Sequence, residues 1–323
     1  MKIVIPGGTG HLGRILTDAF RRRGDEVVVL SRNVEAPAHF WDGRTFGDWV
    51  DQLDGADVVI NLAGRSVDCR YGPLQREEIL YSRIESTRVL GRAISHVKRP
   101  PALWLQASSA TIYAHRFDAP NDEHTGILGG HEPDMPEAWR FSIDVARAWE
   151  RALDEAQTPC TRKVKMRMAM VMSPERGGPF HALLRTVRLG LGRFGDGRQY
   201  MSWIHERDFV RAVRWLIDND LEGAVNLSAP HPVRNEELMS ELRDAWGGPP
   251  LAIPASGVVL EAGARLLGTE TELVLKSRRV FPARLLEHGF AFDYPRWPEA
   301  ARELCARWKG GVPVSEMPSA AMW

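Results

Sequence analysis

The chain predicts an α/β fold: a doubly wound parallel sheet with helices on both faces, carrying a smaller carboxyl-terminal lobe. Three observations lead there. Residues 2–32 form a complete strand, turn, helix and strand unit, and strand and helix patterns then alternate through residue 172. After Ser173, Gly and Pro become frequent and the elements shorten.

The first unit starts with the apolar run Lys2-Ile3-Val4-Ile5, of strand type, which stops at Pro6 and opens into Gly7-Gly8-Thr9-Gly10-His11-Leu12-Gly13. Gly8, Gly10 and Gly13 satisfy G-x-G-x-x-G, the pattern for a tight turn, a close backbone approach to a diphosphate and close packing of helix on strand. Leu12, Ile15, Leu16, Ala19 and Phe20 then recur at helical spacing, and Gly24 ends the helix. Val27-Val28-Val29-Leu30 is the second strand. Amide groups and the helix dipole at such a turn hold phosphate, so the unit predicts a Rossmann-type dinucleotide site. Ser31-Arg32 follows the second strand, where a site for the unphosphorylated ribose carries Asp or Glu. A carboxylate there would repel a 2′-phosphate, whereas guanidinium binds it by charge-assisted hydrogen bonds. The predicted cofactor is therefore NADP.

Further along, Ala56 to Leu62 predicts a buried strand ending in Ala63-Gly64, small residues against which a cofactor can lie. An amphipathic helix is predicted over Leu74 to Val97, ended by Pro100-Pro101. Ala102 to Gln106 predicts a strand leading into Ala107-Ser108-Ser109-Ala110-Thr111-Ile112-Tyr113. A helix from Trp139 to Ala156 and a strand from Val164 to Met172 complete the alternation. Ligands of an open parallel sheet sit beyond the carboxyl ends of the strands, which gathers Gly10, Arg32, Ala63, Ser108 to Tyr113 and Val171 around one crevice. Residues 1–173 are predicted as the NADP-binding domain, with a strand returning near 204–228. Residues 174–203 and 229–323 are predicted as the substrate lobe, Gly190 to Gly197 being a glycine-rich loop and the tail from Gly310 weakly structured.

At 323 residues the chain can bury a large core. Its 42 Lys+Arg balance 42 Asp+Glu, which argues against nucleic acid or an acidic membrane surface as partner and leaves a small-molecule substrate. Cys69, Cys160 and Cys305 lie too far apart for a zinc pattern and suit a reducing compartment. With no signal-type or membrane-spanning stretch, a cytoplasmic location is expected.

Together, the Gly7–Gly13 turn, Ser31-Arg32, Trp41-Asp42, Asn61-Leu62-Ala63-Gly64, Ser82-Arg83-Ile84, Gly190-Leu191-Gly192, Ser202-Trp203-Ile204-His205 and Arg279-Val280 with Pro282 to Leu286 make the chain resemble a known group nearly end to end. It is similar to the atypical "epimerase family" branch of the extended short-chain dehydrogenase/reductases, nucleoside-diphosphate-sugar epimerase-like proteins with a carboxyl-terminal domain of unknown function. The resemblance implies NADP contacts from Ser31 and Arg32, from Leu62 and Ala63, from Glu78 and Arg83 on the long helix, and from Val171. That helix also resembles the dimerisation helix of extended reductases, which suggests a homodimer. His11 departs from the branch, where a bulky apolar or aromatic residue is usual.

The wider superfamily uses Tyr-x-x-x-Lys to exchange a proton with the substrate oxygen. Here those positions fall on Ser142 and Ala146, which supply neither a phenol nor a charge. Ser109, Tyr113 and His205 are the candidate replacements. Ser109 stands where the superfamily keeps a substrate-orienting serine. Tyr113 reads as a proton donor or as a packing residue, and His205 as a titrating group or as an imidazole holding a lobe boundary. The expected function is NADP(H)-dependent oxidoreduction or epimerase-like chemistry on a small polar, sugar-nucleotide-related substrate. The alternative is a catalytically silent NADP-binding redox sensor or regulator.

Overall fold

The structure is a computed structural model that describes residues 1–32, 38–249, 251–255 and 270–310. β1 (Lys2–Pro6) passes through the glycine turn into α1 (His11–Arg22) and β2 (Glu26–Ser31), followed by β3 (Ala38–Phe40) and β4 (Val58–Asn61). Next come α2 (Pro73–His96), β5 (Leu103–Ser109), a 3-10 turn at Ala110–Ile112, α3 (Glu137–Asp154) and β6 (Arg162–Met168). Then follow β7 (Met170–Met172), α4 (Pro179–Arg188), β8 (Leu191–Phe194), β9 (Tyr200–Met201) and β10 (Trp203–His205). α5 (Glu206–Asp218), β11 (Gly223–Leu227), β12 (Val233–Arg234), α6 (Asn235–Trp246) and β13 (Ile253–Ala255) lead to helices Glu272–Leu275, Ala283–Glu287 and Trp297–Gly310.

Seven strands form one sheet in the order β11-β6-β5-β4-β1-β2-β3, every pairing parallel. This is the doubly wound α/β architecture expected from the strand and helix patterns. Period-two alternation in each strand builds its two layers. On β1, Ile3 and Ile5 join Ile15, Leu16 and Phe20 of α1 and Phe209 and Val213 of α5, whereas Val4 joins Val89, Leu90 and Ile94 of α2. β4 and β5 repeat the pattern, with Val58, Ile60, Leu103 and Leu105 on the first face and Val59 and Trp104 on the second. Strand order reverses at β1, flanked by β2 and β4, so the crevice for a ligand opens beyond the carboxyl ends of these strands.

Two sequence expectations change. Val164–Met172 is not one strand: β6 ends at Met168, and β7 leaves the sheet to pair in parallel with β10. An apolar run carries no mark of such an exit, because its new partner is remote in sequence. The Gly190–Gly197 stretch holds β8, paired in parallel with β13, and its end is a turn in which the Arg198 amide donates to Asp196 Oδ1 at 3.0 Å.

A second core lies outside the sheet. Phe180, Leu183 and Leu184 of α4, Leu238, Met239 and Leu242 of α6, and Ala300, Ala301 and Leu304 of the helix Trp297–Gly310 pack together. Trp203 and Trp297 meet edge to face there, with centroids 5.1 Å apart. Tail residues 311–323 lie outside the described residues. Among the described residues no helix is long and apolar enough to cross a membrane.

Candidate cofactor and substrate site

The glycine turn is shaped by two backbone approaches. Gly7 has φ +80°, and a Cβ there would stand 2.9 Å from Ala63 N, so the ends of β1 and β4 meet at a distance that excludes a side chain. A Cβ on Gly13 would lie 2.5 Å from Gly8 Cα, which is the close helix-to-turn packing the motif requires. Gly10 caps α1 without a side-chain hydrogen bond, and no acid occupies the first turn. Among the described residues nothing accepts from the amides of His11, Leu12 or Gly13. Both His11 ring nitrogens are buried without a hydrogen-bond partner, Glu175 Oε2 being 3.8 Å from Nδ1. Burial, then Arg14, hold the imidazole below its ordinary pKa. Orphan amides at the positive end of a helix, with no acid nearby in the turn, suit an anion such as diphosphate. Thr9 Oγ1 and Ser31 Oγ lie 2.9 Å apart and tie the turn to the tip of β2, where Arg32 is exposed.

The tip of β4 forms a fixed wall. The Leu62 amide donates to the Pro6 carbonyl at 2.9 Å, and the Ala63 amide to Asn61 Oδ1 at 3.1 Å. Asn61 Nδ2 in turn donates to Gln106 Oε1 at 3.0 Å, buried between strands. Gly64 leaves room for Arg83, whose Cζ would be 3.1 Å from a Cβ there. Arg83 donates to the carbonyls of Arg65 and Ile79 at 3.0 and 2.9 Å and lies over the Trp149 ring at 4.9 Å. Burial pulls its pKa down to about 10. Glu78 instead stands exposed on α2, paired with Arg65.

The catalytic candidates separate. Ser109 ends β5 partly exposed, its Oγ accepting from the Thr111 amide at 3.2 Å. Ser108, one residue earlier, faces the other way by strand alternation, and its hydroxyl donates to Glu150 Oε1 at 2.6 Å in the core. Tyr113 is 1% exposed. Its hydroxyl donates to Asn226 Oδ1 at 3.0 Å and accepts from Arg167 Nη1 at 2.9 Å, so packing replaces the proton-donor role. His205 is fully buried at the start of α5. Its Nδ1 accepts from the Arg207 amide at 3.1 Å, Nε2 meets Glu303 Oε2 at 2.9 Å, and the ring stacks on Tyr294 at 4.0 Å. It holds a boundary between elements and has no nitrogen left for substrate. Val171 sits in the sheet core, paired with Ile204.

A polar cluster occupies the place of the missing pair. Ser142 Oγ donates to Glu272 Oε2 at 3.2 Å. Burial, then the Glu272 charge, push the Tyr71 phenol up to about 12. Glu272, 2% exposed, also accepts from Thr111 Oγ1 at 2.9 Å and from Arg278 Nη2. Lys276 Nζ donates to the Thr111 carbonyl at 2.5 Å.

Residues 3–228 match the NAD dependent epimerase/dehydratase family. The chain belongs to that family. Residues 256–304 match a domain of unknown function, DUF1731. Among relatives of this epimerase-family chain, the cattle epimerase family protein SDR39U1 is 31% identical over 318 residues, 95% of this chain and 100% of that protein. The Bacillus subtilis epimerase family protein YfhF is 30% identical, over 95% of this chain and 98% of its own length. The structure of human epimerase family protein SDR39U1 with NADPH superimposes with a TM-score of 0.82 at 28% identity, covering 95% of this chain and 99% of that one.

Sequence reasoning missed Glu272, Lys276, Arg278 and Tyr71. Lys276 follows the apolar Leu273-Val274-Leu275, an unusual setting for a lysine and the one local signal available. Its neighbour Thr111 is 165 positions away, so spacing alone could not pair them.

Proposed function

We propose that this family member binds NADP(H) and acts as an oxidoreductase or epimerase-like enzyme on a small polar, sugar-nucleotide-related substrate. The observation that carries the cofactor choice is the tip of β2. Hydroxyls of Thr9 and Ser31 and the exposed Arg32 guanidinium stand there in place of a carboxylate. NADPH bound to the human relative supports the same choice.

When bound, the nicotinamide supplies hydride transfer. The chain's own residues bind and orient. Amides of His11 to Gly13 take the diphosphate, Arg32 the 2′-phosphate, and the Leu62–Gly64 backbone with Arg83 walls the cofactor side. Ser109 Oγ orients the substrate oxygen.

Calorimetric titration of the full chain with NADPH and NADH tests the reading. NADPH is expected to bind more tightly, and Arg32→Ala to lose about tenfold, or about 1.4 kcal/mol, for NADPH alone. An unchanged NADPH affinity overturns the assignment. Ser142 and Ala146 favour one second reading, a catalytically silent NADP-binding sensor. Tight NADPH binding with no absorbance decay against any carbonyl compound would decide for it.

A further inference from the structure

Arg185 and Arg188 share one face of α4, three residues apart, and line a groove of about 360 Å³. His181, Leu184 and Leu189 from the same stretch and Trp308 of the helix Trp297–Gly310 complete its walls. The groove lies along the seam between these two helices, on the outside of the second core. None of the residues assigned above to the cofactor lines it. Its volume falls at the lower end of small-molecule sites, about 300–1,000 Å³.

The charged residues on its walls are both cationic. Arg185 and Arg188 are exposed, and among the described residues no carboxylate comes within ion-pair distance of either. Arginines on the neighbouring helices do have one: Arg243 meets Asp244, Arg302 meets Glu299, and Arg307 meets Glu206. The walls are also held in place. The His181 ring stacks on Trp308 with centroids 5.1 Å apart, and its Nδ1 accepts from the Gly177 amide at 3.2 Å. The neutral imidazole therefore carries its proton on Nε2, a further donor. Arg188 lies over the Trp246 ring at 5.4 Å, which restricts its guanidinium. Beside these cations Leu189 is 69% exposed.

We propose that this groove is a second ligand site, for a small aromatic acid whose carboxylate or phosphate is held by Arg185 and Arg188. The ring of the ligand lies against Leu184, Leu189 and Trp308. Charge complementarity selects the anion, since guanidinium offers paired N–H donors to either head group. The apolar walls select an aromatic body over a bare ion. Covering Leu189 and the edge of Trp308 removes apolar surface from water, which a hydrated inorganic anion cannot do. The site goes beyond the NADP(H) reading and does not depend on it.

The test uses the full chain carrying 5-fluorotryptophan, the Trp308 ¹⁹F resonance being the one lost in Trp308→Phe. Benzoate and phenyl phosphate share a ring and differ in head group. Benzamide lacks the charge, and inorganic phosphate lacks the ring. Benzoate or phenyl phosphate is expected to shift the Trp308 resonance and to saturate by about 10 mM. The tighter of the two identifies the head group. Benzamide and inorganic phosphate are expected to bind at least about tenfold more weakly. The double variant Arg185→Gln with Arg188→Gln is expected to lose at least about tenfold in affinity for the better acid. Its thermal midpoint and NADPH affinity are expected to stay at wild type. Benzamide that binds as tightly as benzoate and phenyl phosphate overturns the proposal, as does a double variant with unchanged affinity. A Trp308 resonance that none of the four compounds moves overturns it too.

Discussion

Arg167 and Glu150 face each other through two parallel hydrogen bonds of 2.8 Å, Nε to Oε1 and Nη2 to Oε2, with side chains only 10% and 8% exposed. Ser108 donates to the same carboxylate, and the Tyr113 hydroxyl bridges Arg167 to Asn226. Burial alone would lower the guanidinium pKa; the Glu150 hydrogen bonds outweigh it and hold it above the ordinary value. The fork joins α3 to β6, with β5 and β11 tied in through Ser108 and Asn226. Residues with catalytic chemistry are here consumed in holding strands and helix together.

Breaking that fork is expected to destabilise the fold strongly. Glu150→Ala leaves a buried guanidinium without its counter-charge, at a cost of about 3–5 kcal/mol. Tyr113→Phe removes one hydroxyl from between two buried partners, at about 1–3 kcal/mol. Urea denaturation midpoints measure both. Full wild-type stability in Tyr113→Phe would mean its hydroxyl serves something other than packing.

Gly7 and Gly24 share a positive φ, +80° and +88°, yet differ in surroundings. A Cβ on Gly24 meets nothing within 4 Å, whereas one on Gly7 meets the Leu62–Ala63 backbone at 2.9 Å. Gly24→Ala is expected to cost about 1–2 kcal/mol from the left-handed conformation alone. Gly7→Ala adds a backbone clash, so its loss in thermal unfolding should be clearly larger, with weaker NADPH binding. Equal losses would show that β1 and β4 do not approach as described.

Much of this architecture is written in local pattern. The β1–α1–β2 unit is legible because apolar alternation, glycine spacing and helical periodicity all fall within one stretch of chain. Arg32 and the Leu62–Gly64 wall follow from the same rule, that ligands meet strand ends. Neighbouring strand residues face opposite ways, and the sequence does not say that the Ser108 hydroxyl is the one that turns to Glu150. β7 leaves the sheet at a point where the apolar run continues unbroken, since its partner β10 comes from far along the chain. Lys276 and Thr111 meet only through the tertiary fold, so no motif could join them.

Lys276 also predicts a pH dependence of stability. Its folded pKa, about 7, lies below the unfolded value of 10.5. Between these values the unfolded chain binds the extra proton, so this group's contribution to stability rises with pH across the window and is least favourable below about 7. The slope is at most about 1.4 kcal/mol per pH unit. Lys276→Met is expected to remove that slope and to raise stability at neutral pH. Denaturation midpoints from pH 6 to 10 check it; parallel curves for the two proteins would contradict a depressed lysine.

His11 sits at the amino end of α1, its ring nitrogens unpartnered and Glu175 3.8 Å away. Burial and Arg14 hold its pKa below 6.5, so the free protein carries a largely neutral imidazole at pH 7. A diphosphate placed on the neighbouring amides reverses the balance, because two negative charges favour imidazolium. Binding of NADPH should then take up a fraction of a proton. The sign follows: affinity falls as pH rises from the free-state pKa through that of the complex. Calorimetry in buffers of different ionisation enthalpy measures the uptake directly. His11→Phe restores a bulky ring that cannot protonate, and its binding enthalpy is expected to lose the buffer dependence. A wild-type enthalpy that is the same in every buffer would place the imidazole outside the diphosphate's reach.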